Sequence, residues 1–157
     1  MKASSVLWIL PLLLAGCGRM SHPSDDTLIQ RFKAQRSQFE ELVQMTQQDP
    51  LLKRVSVEFT SPDDAGSVGV TPERLQLYHA LLRKVRTPLG IVNVHQGTYV
   101  TFIASGKGLG ISGSGKGYLY TTVPPEPLQD KLDTYASADN VSIAYRHIID
   151  NWYLWAD

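Results

Sequence analysis

Only one cysteine, Cys17, stands among the 157 residues, so no disulfide can form within the chain. Long apolar runs are missing as well. The N-terminal stretch Val6 to Leu14 is interrupted by Pro11 and falls well short of the roughly 20 residues that a spanning helix needs. There is no charge of a dominant sign, with 15 basic against 15 acidic side chains. A neutral chain has no global field to draw nucleic acid or an anionic surface, so no nucleic-acid partner is expected. The four histidines, at 22, 79, 95 and 147, are too far apart for a metal motif, and structural roles are expected for them. Asp63-Asp64 has no further acids at ligand spacing and reads as a solvated turn. No internal repeat or long low-complexity tract is present.

What is there begins at the N-terminus, MKASSVLWILPLLLAGC. Lys2 forms a short positive region, an apolar segment follows, and Leu14-Ala15-Gly16-Cys17 closes it. That length suits a signal peptide over residues 1–16. The last four residues resemble the lipobox of bacterial lipoproteins. The resemblance implies that Cys17 is acylated on its thiol, that the bond before it is cut, and that the new amino group is acylated in turn. Several acyl chains, at about 0.8 kcal/mol per buried methylene, anchor a protein firmly. Gly18 follows Cys17, where an Asp would resemble an inner-membrane retention signal. The expected location is therefore the outer membrane, facing the periplasm. Residues 17–26 (CGRMSHPSDD) read as a lipidated tether, and 27–157 as one domain with a real core.

The domain opens with an amphipathic helix, capped by Asp25, Asp26 or Thr27 and stopped at Asp49-Pro50. Leu28, Phe32, Gln35, Phe39, Leu42, Val43 and Thr46 share its inner side. After a short strand within Val55 to Phe59 and the loop SPDDAGS, Thr71-Pro72-Glu73 begins a second helix. Its inner face is Leu75, Tyr78, Leu82 and Val85, and Thr87-Pro88 ends it. Short β-rich runs follow at Ile91–Val94, Thr98–Ala104, Leu109–Ser112 and Gly117–Thr122, separated by glycine turns. Leu128–Tyr135 is expected as a brief helix. Val141–Ile148 and Trp152–Ala156 then make a hairpin about Asp150-Asn151. Helices first and strands later predict an α+β domain, two helices packed on an antiparallel meander closed by a C-terminal hairpin.

The stretch GLGISGSGKGY, 108–118, fits two phosphate-binding patterns, G-x-G-x-x-G and G-x-x-x-x-G-K. Both need a helix to start directly behind the glycines, and the second needs Ser or Thr after the lysine. Here Gly117 follows Lys116, and YLYTTVPP continues as a strand. No nucleotide or other cofactor is expected. The glycines instead suit tight turns and a strand over which aromatic side chains pack. Lys116 is expected in solvent at a turn-to-strand junction.

No catalytic set is legible. A small hydrolase or ligand-binding module with a site near Ser112, Ser114, Lys116 and His147 is the alternative to a non-enzymatic interaction domain. In YRHIIDNWYLWAD, strand alternation puts Trp152 and Leu154 on one face and Tyr153 and Trp155 on the other. Trp152 is expected in the core. Tyr153 and Trp155 are the candidate contacts for an envelope protein or a cell-wall glycan if their face is open, the alternative being that a helix or the N-terminal loop covers it. The segments FKAQRSQFEELVQM, GISGSGKGY and YRHIIDNWYLW are similar to small bacterial lipoproteins without a known activity. That resemblance supports the fold and the envelope location only.

Overall fold

The computed structural model describes residues 21–108, 113–135 and 143–157. The signal peptide, Cys17, the expected strand Leu109–Ser112 and Ser112 itself lie outside the described residues. Three α-helices pack on one face of a seven-stranded antiparallel sheet, an α+β architecture. The helices are α1 (Asp25–Ala34), α2 (Arg36–Gln48) and α3 (Pro72–Lys84). The strands are β1 (Arg54–Val55), β2 (Thr60–Ser61), β3 (Ile91–Val94), β4 (Tyr99–Lys107), β5 (Ser114–Thr121), β6 (Ala144–Ile149) and β7 (Trp152–Ala156), in the order β2-β1-β3-β4-β5-β7-β6.

The single N-terminal helix of the sequence reading is two helices, broken at Gln35, where φ is −130° and ψ is 24°. Six of the seven side chains expected inside stay inside across the break, and Gln35, at the break itself, is half-buried. Leu28 and Phe32 of α1 and Phe39, Leu42, Val43 and Thr46 of α2 are buried. The cap is Ser24 rather than Asp25, Asp26 or Thr27, its hydroxyl accepting from the Thr27 amide at 3.2 Å. Asp49, read only as a helix stop, also accepts from Arg74 Nε at 2.6 Å and from the Tyr78 hydroxyl at 2.9 Å, tying α3 to the end of α2. Thr71 and Pro72 open α3 as expected.

Packing on the helix-covered face is aromatic. Phe39 sits 4.6 Å from Tyr118 and 5.3 Å from Phe102, and Phe32 lies 4.9 Å from Trp152, distances that suit tilted ring pairs. Trp152 is 2% exposed, the core position expected for it. Leu128–Tyr135 is not the brief helix expected: Leu128 forms a parallel bridge with Tyr145, and the segment then turns at Asp133. Pro124, Pro125 and Pro127 precede it, and the backbone bonds the edge of β6 instead, the Gln129 amide donating to the Tyr145 carbonyl at 2.7 Å and the Tyr145 amide to the Pro127 carbonyl at 3.0 Å.

Candidate functional site

Register fixes two poles of the sheet. Ser114, Lys107 and Ala156 stand at one end of β5, β4 and β7, while Tyr120, Tyr99 and Trp152 stand at the other. At about 3.4 Å per residue, the six steps of β5 from Ser114 to Tyr120 separate the poles by about 20 Å.

The first pole holds a buried ion cluster. Lys116 points to the helix-covered face because it alternates with Gly115 and Gly117, in phase with Tyr118. Its side chain is only 1% exposed, and Nζ lies 2.7 Å from Asp25 Oδ1 and 2.7 Å from Asp133 Oδ1. Asp25 Oδ2 accepts from Arg146 Nη1 at 2.8 Å and from the Leu132 amide at 2.8 Å. The Asp25 amide donates to Asp133 Oδ1 at 2.7 Å. Two cations thus face two carboxylates, and α1, β5, β6 and the 128–135 segment meet there. Burial pushes the Asp133 carboxyl up, but the Lys116 ammonium and the Asp25 amide outweigh it and hold it below the ordinary carboxylate range. The expected solvated lysine is therefore corrected. Lys116 is buried because an acidic first turn of α1 docks directly against its strand.

His22 is fixed beside this cluster. Its Nδ1 lies 2.9 Å from Ser105 Oγ and its Nε2 lies 2.8 Å from Ser114 Oγ, one nitrogen donating and the other accepting in the neutral ring. Burial, with the ammonium groups of Lys107 and Lys116, lowers its pKa from the ordinary 6.5, and Asp157 opposes the shift. The tether boundary at residue 26 is corrected accordingly: the folded domain reaches back to His22, since Asp25 is fully buried and His22 is bonded to two strands.

The face of the sheet away from the three helices carries its own small core. Leu119, Tyr145, Tyr153 and Trp155 form it, flanked by Tyr99 and Ile103. Tyr153 and Trp155 are 6% and 9% exposed, so their face is closed and the candidate exposed contact site is corrected. Gly115 explains the burial. A Cβ there would stand 2.6 Å from Trp155 Cη2, so the missing side chain makes room for the indole. Trp155 Nε1 donates to the Phe102 carbonyl at 3.1 Å, across the bulge between Ile103 and Ser105. The Tyr99 and Tyr145 hydroxyls pair at 3.1 Å. Gly115 thus makes room for an aromatic side chain, as the sequence suggests, and Lys116 continues in a strand.

At the opposite pole a cleft of about 320 Å³ opens between α2 and the β6–β7 turn. Val43, Tyr120 and Trp152 lie among its walls, and Gln44, Gln47 and Asn151 line it with amides. Arg36 bridges part of the rim, with Nε 2.7 Å from Glu40 Oε1 and Nη2 2.9 Å from Asp150 Oδ2. The arrangement offers donors and acceptors beside aromatic surface, which suits a hydroxyl- or amide-bearing ligand.

The residues of the hydrolase alternative do not converge among the described residues. Lys116 lies on the helix-covered face, while His147 pairs with Tyr153 on the other face and bonds the Asp150 carbonyl at 3.0 Å. Ser114 is engaged with His22. His79 lies on α3, where burial lowers its pKa, and Asp63 and Asp64 flank a turn in which Asp64 accepts from the Gly66 amide. Sequence reasoning missed Asp25, Asp133 and Arg146 as a unit, because their pairing spans over a hundred residues and no local pattern marks it. No family model matches the chain, and neither a characterised protein nor a solved structure is significantly similar to it.

Proposed function

We propose that the protein is a lipid-anchored cell-envelope protein, held at the outer membrane through Cys17, that presents a non-enzymatic interaction domain in the periplasm. The lipobox-like Leu14-Ala15-Gly16-Cys17 motivates the anchor. The observation that carries the interaction reading is the position of the cleft. Chain entry, at His22, is at one pole, and the cleft of Arg36, Gln44, Gln47, Tyr120 and Asn151 is at the other. An anchored domain of this shape carries the cleft away from its bilayer, toward an envelope protein or a cell-wall glycan. The burial of Tyr153 and Trp155 removes them as the contact residues, and the cleft takes that place. Against nucleotide binding stands the Lys116 ammonium, which is committed to Asp25 and Asp133 with no helix behind the glycines to hold a phosphate.

Photo-crosslinking in living cells tests this reading. A crosslinker replacing Gln44, in the cleft, is expected to capture one discrete partner or peptidoglycan, and one replacing the exposed Val123, outside the cleft lining, is expected not to. Equal capture at both positions, or none at either, would sink the assignment of the cleft.

A further inference from the structure

The domain's entry point also fixes which surface meets the bilayer. Four residues lie between Cys17 and His22, and the five steps of chain span at most about 17 Å when extended. His22 is bonded to Ser105 and Ser114, at the ends of β4 and β5, so the chain enters the folded domain at that pole. Two of the exposed large apolar side chains of the described residues lie at the same pole. Leu89 is 44% exposed and stands beside the ends of both strands: a Cβ on Gly106 would meet Leu89 Cδ1 at 3.5 Å, and Leu89 lines one shallow depression together with Lys107, Ser114 and Asp157. Phe59 is 45% exposed, in the turn between β1 and β2. That turn is held next to Leu89, because the Val57 amide donates to the Pro88 carbonyl at 3.2 Å.

We infer that this pole, with Leu89 and Phe59 at its contact points, rests in the headgroup region of the bilayer that holds the anchor. The inference rests on the acylation of Cys17. With a tether this short, the domain cannot rise by its own length from the surface. Exposed apolar side chains held near a bilayer gain by entering its interface. The charges at this pole are of both signs: Lys107, Arg54 and the exposed Arg86 stand with the exposed Glu58 and with Asp157, which bonds the Gly115 amide. The Arg54 guanidinium lies 4.6 Å over the Phe59 ring, covering one face and leaving the other for lipid. The cleft at the opposite pole then projects outward, which gives the domain one working orientation.

The test uses the protein purified from the envelope and returned to vesicles of phosphatidylethanolamine and phosphatidylglycerol, with intact mass recorded first. Leu89→Trp and Phe59→Trp each report on the inner pole, and Gln44→Trp reports on the cleft. Trp152 and Trp155 are a common buried background. Lipids brominated near the glycerol end of the acyl chains are expected to quench the added emission of Leu89→Trp and Phe59→Trp and to leave that of Gln44→Trp unchanged, at low and high salt alike. An acylated protein whose three reporters are quenched equally, or not at all, overturns the oriented contact while sparing the anchor. A mass without acyl chains overturns the anchor, and the oriented contact with it.

Discussion

Replacing Lys116 by alanine probes the buried cluster directly. The variant removes the ammonium that lies 2.7 Å from both Asp25 and Asp133, in a place where Lys116 and Asp25 are each only 1% exposed. Removing one partner of a buried pair costs about 3–5 kcal/mol, because the remaining charge is stranded. Two features place this case near the lower end. Asp25 keeps Arg146 and the Leu132 amide, and Asp133, 43% exposed, can rehydrate. The expected loss is thus about 3 kcal/mol, a large share of the roughly 5–15 kcal/mol that a domain has in total. With a urea slope of about 1–3 kcal/mol per molar, the unfolding midpoint falls by about 1–3 M. A second variant, Lys116→Met with Asp25→Asn, removes both charges together and is expected to lose less than the sum of the single changes. A loss below about 1 kcal/mol for Lys116→Ala, the size typical of an exposed pair, would refute the buried cluster.

Trp152→Ala and Trp155→Ala are each expected to cost about 3–5 kcal/mol in denaturant unfolding, because both faces of β7 are closed. A small effect at Trp155 would mean that its face is open after all. Gly117→Ala is expected to cost about 1–3 kcal/mol or more, since a Cβ there would stand 1.9 Å from the Phe102 carbonyl oxygen and 3.0 Å from the Ala104 amide, both backbone atoms. Neutral behaviour in thermal unfolding would contradict the close approach of β4 and β5. The folded pKa of His22 lies below its ordinary 6.5, so the fold favours the neutral ring. Its contribution is therefore fully present above that value and is lost as pH falls through the lower folded one. The stability difference between wild type and His22→Gln, measured by urea unfolding, should shrink from about pH 8 to about pH 5. A difference that grows on acidification would show the ring to be held as imidazolium.

Much of the fold is legible in local pattern. Thr71-Pro72 marks the start of α3, and the period of Leu28, Phe32, Phe39, Leu42 and Val43 marks the helical face that meets the sheet. Alternation in Trp152–Ala156 places Trp152 and Leu154 in the main core. The same alternation misplaces Trp155, because its burial depends on what lies across the sheet. Gly115 and the bulge in β4 let the sheet fill its second face with its own side chains. Lys116 was illegible for a related reason. A lysine between glycines looks solvated until its strand partners bring Asp25 and Asp133 to it from distant parts of the chain. The break at Gln35 has no proline or glycine to announce it. The cleft, too, is tertiary: Arg36 on α2 and Asp150 in the last turn meet only when the final hairpin docks.

The envelope assignment turns on Cys17. Its most direct test is the intact mass of the wild-type protein recovered from the membrane fraction, beside that of Cys17→Ala. The wild type is expected to begin at Cys17 and to carry acyl chains. Cys17→Ala is expected to retain residues 1–16 and to carry none. An unacylated wild type, or equal acylation of both proteins, would contradict the anchor.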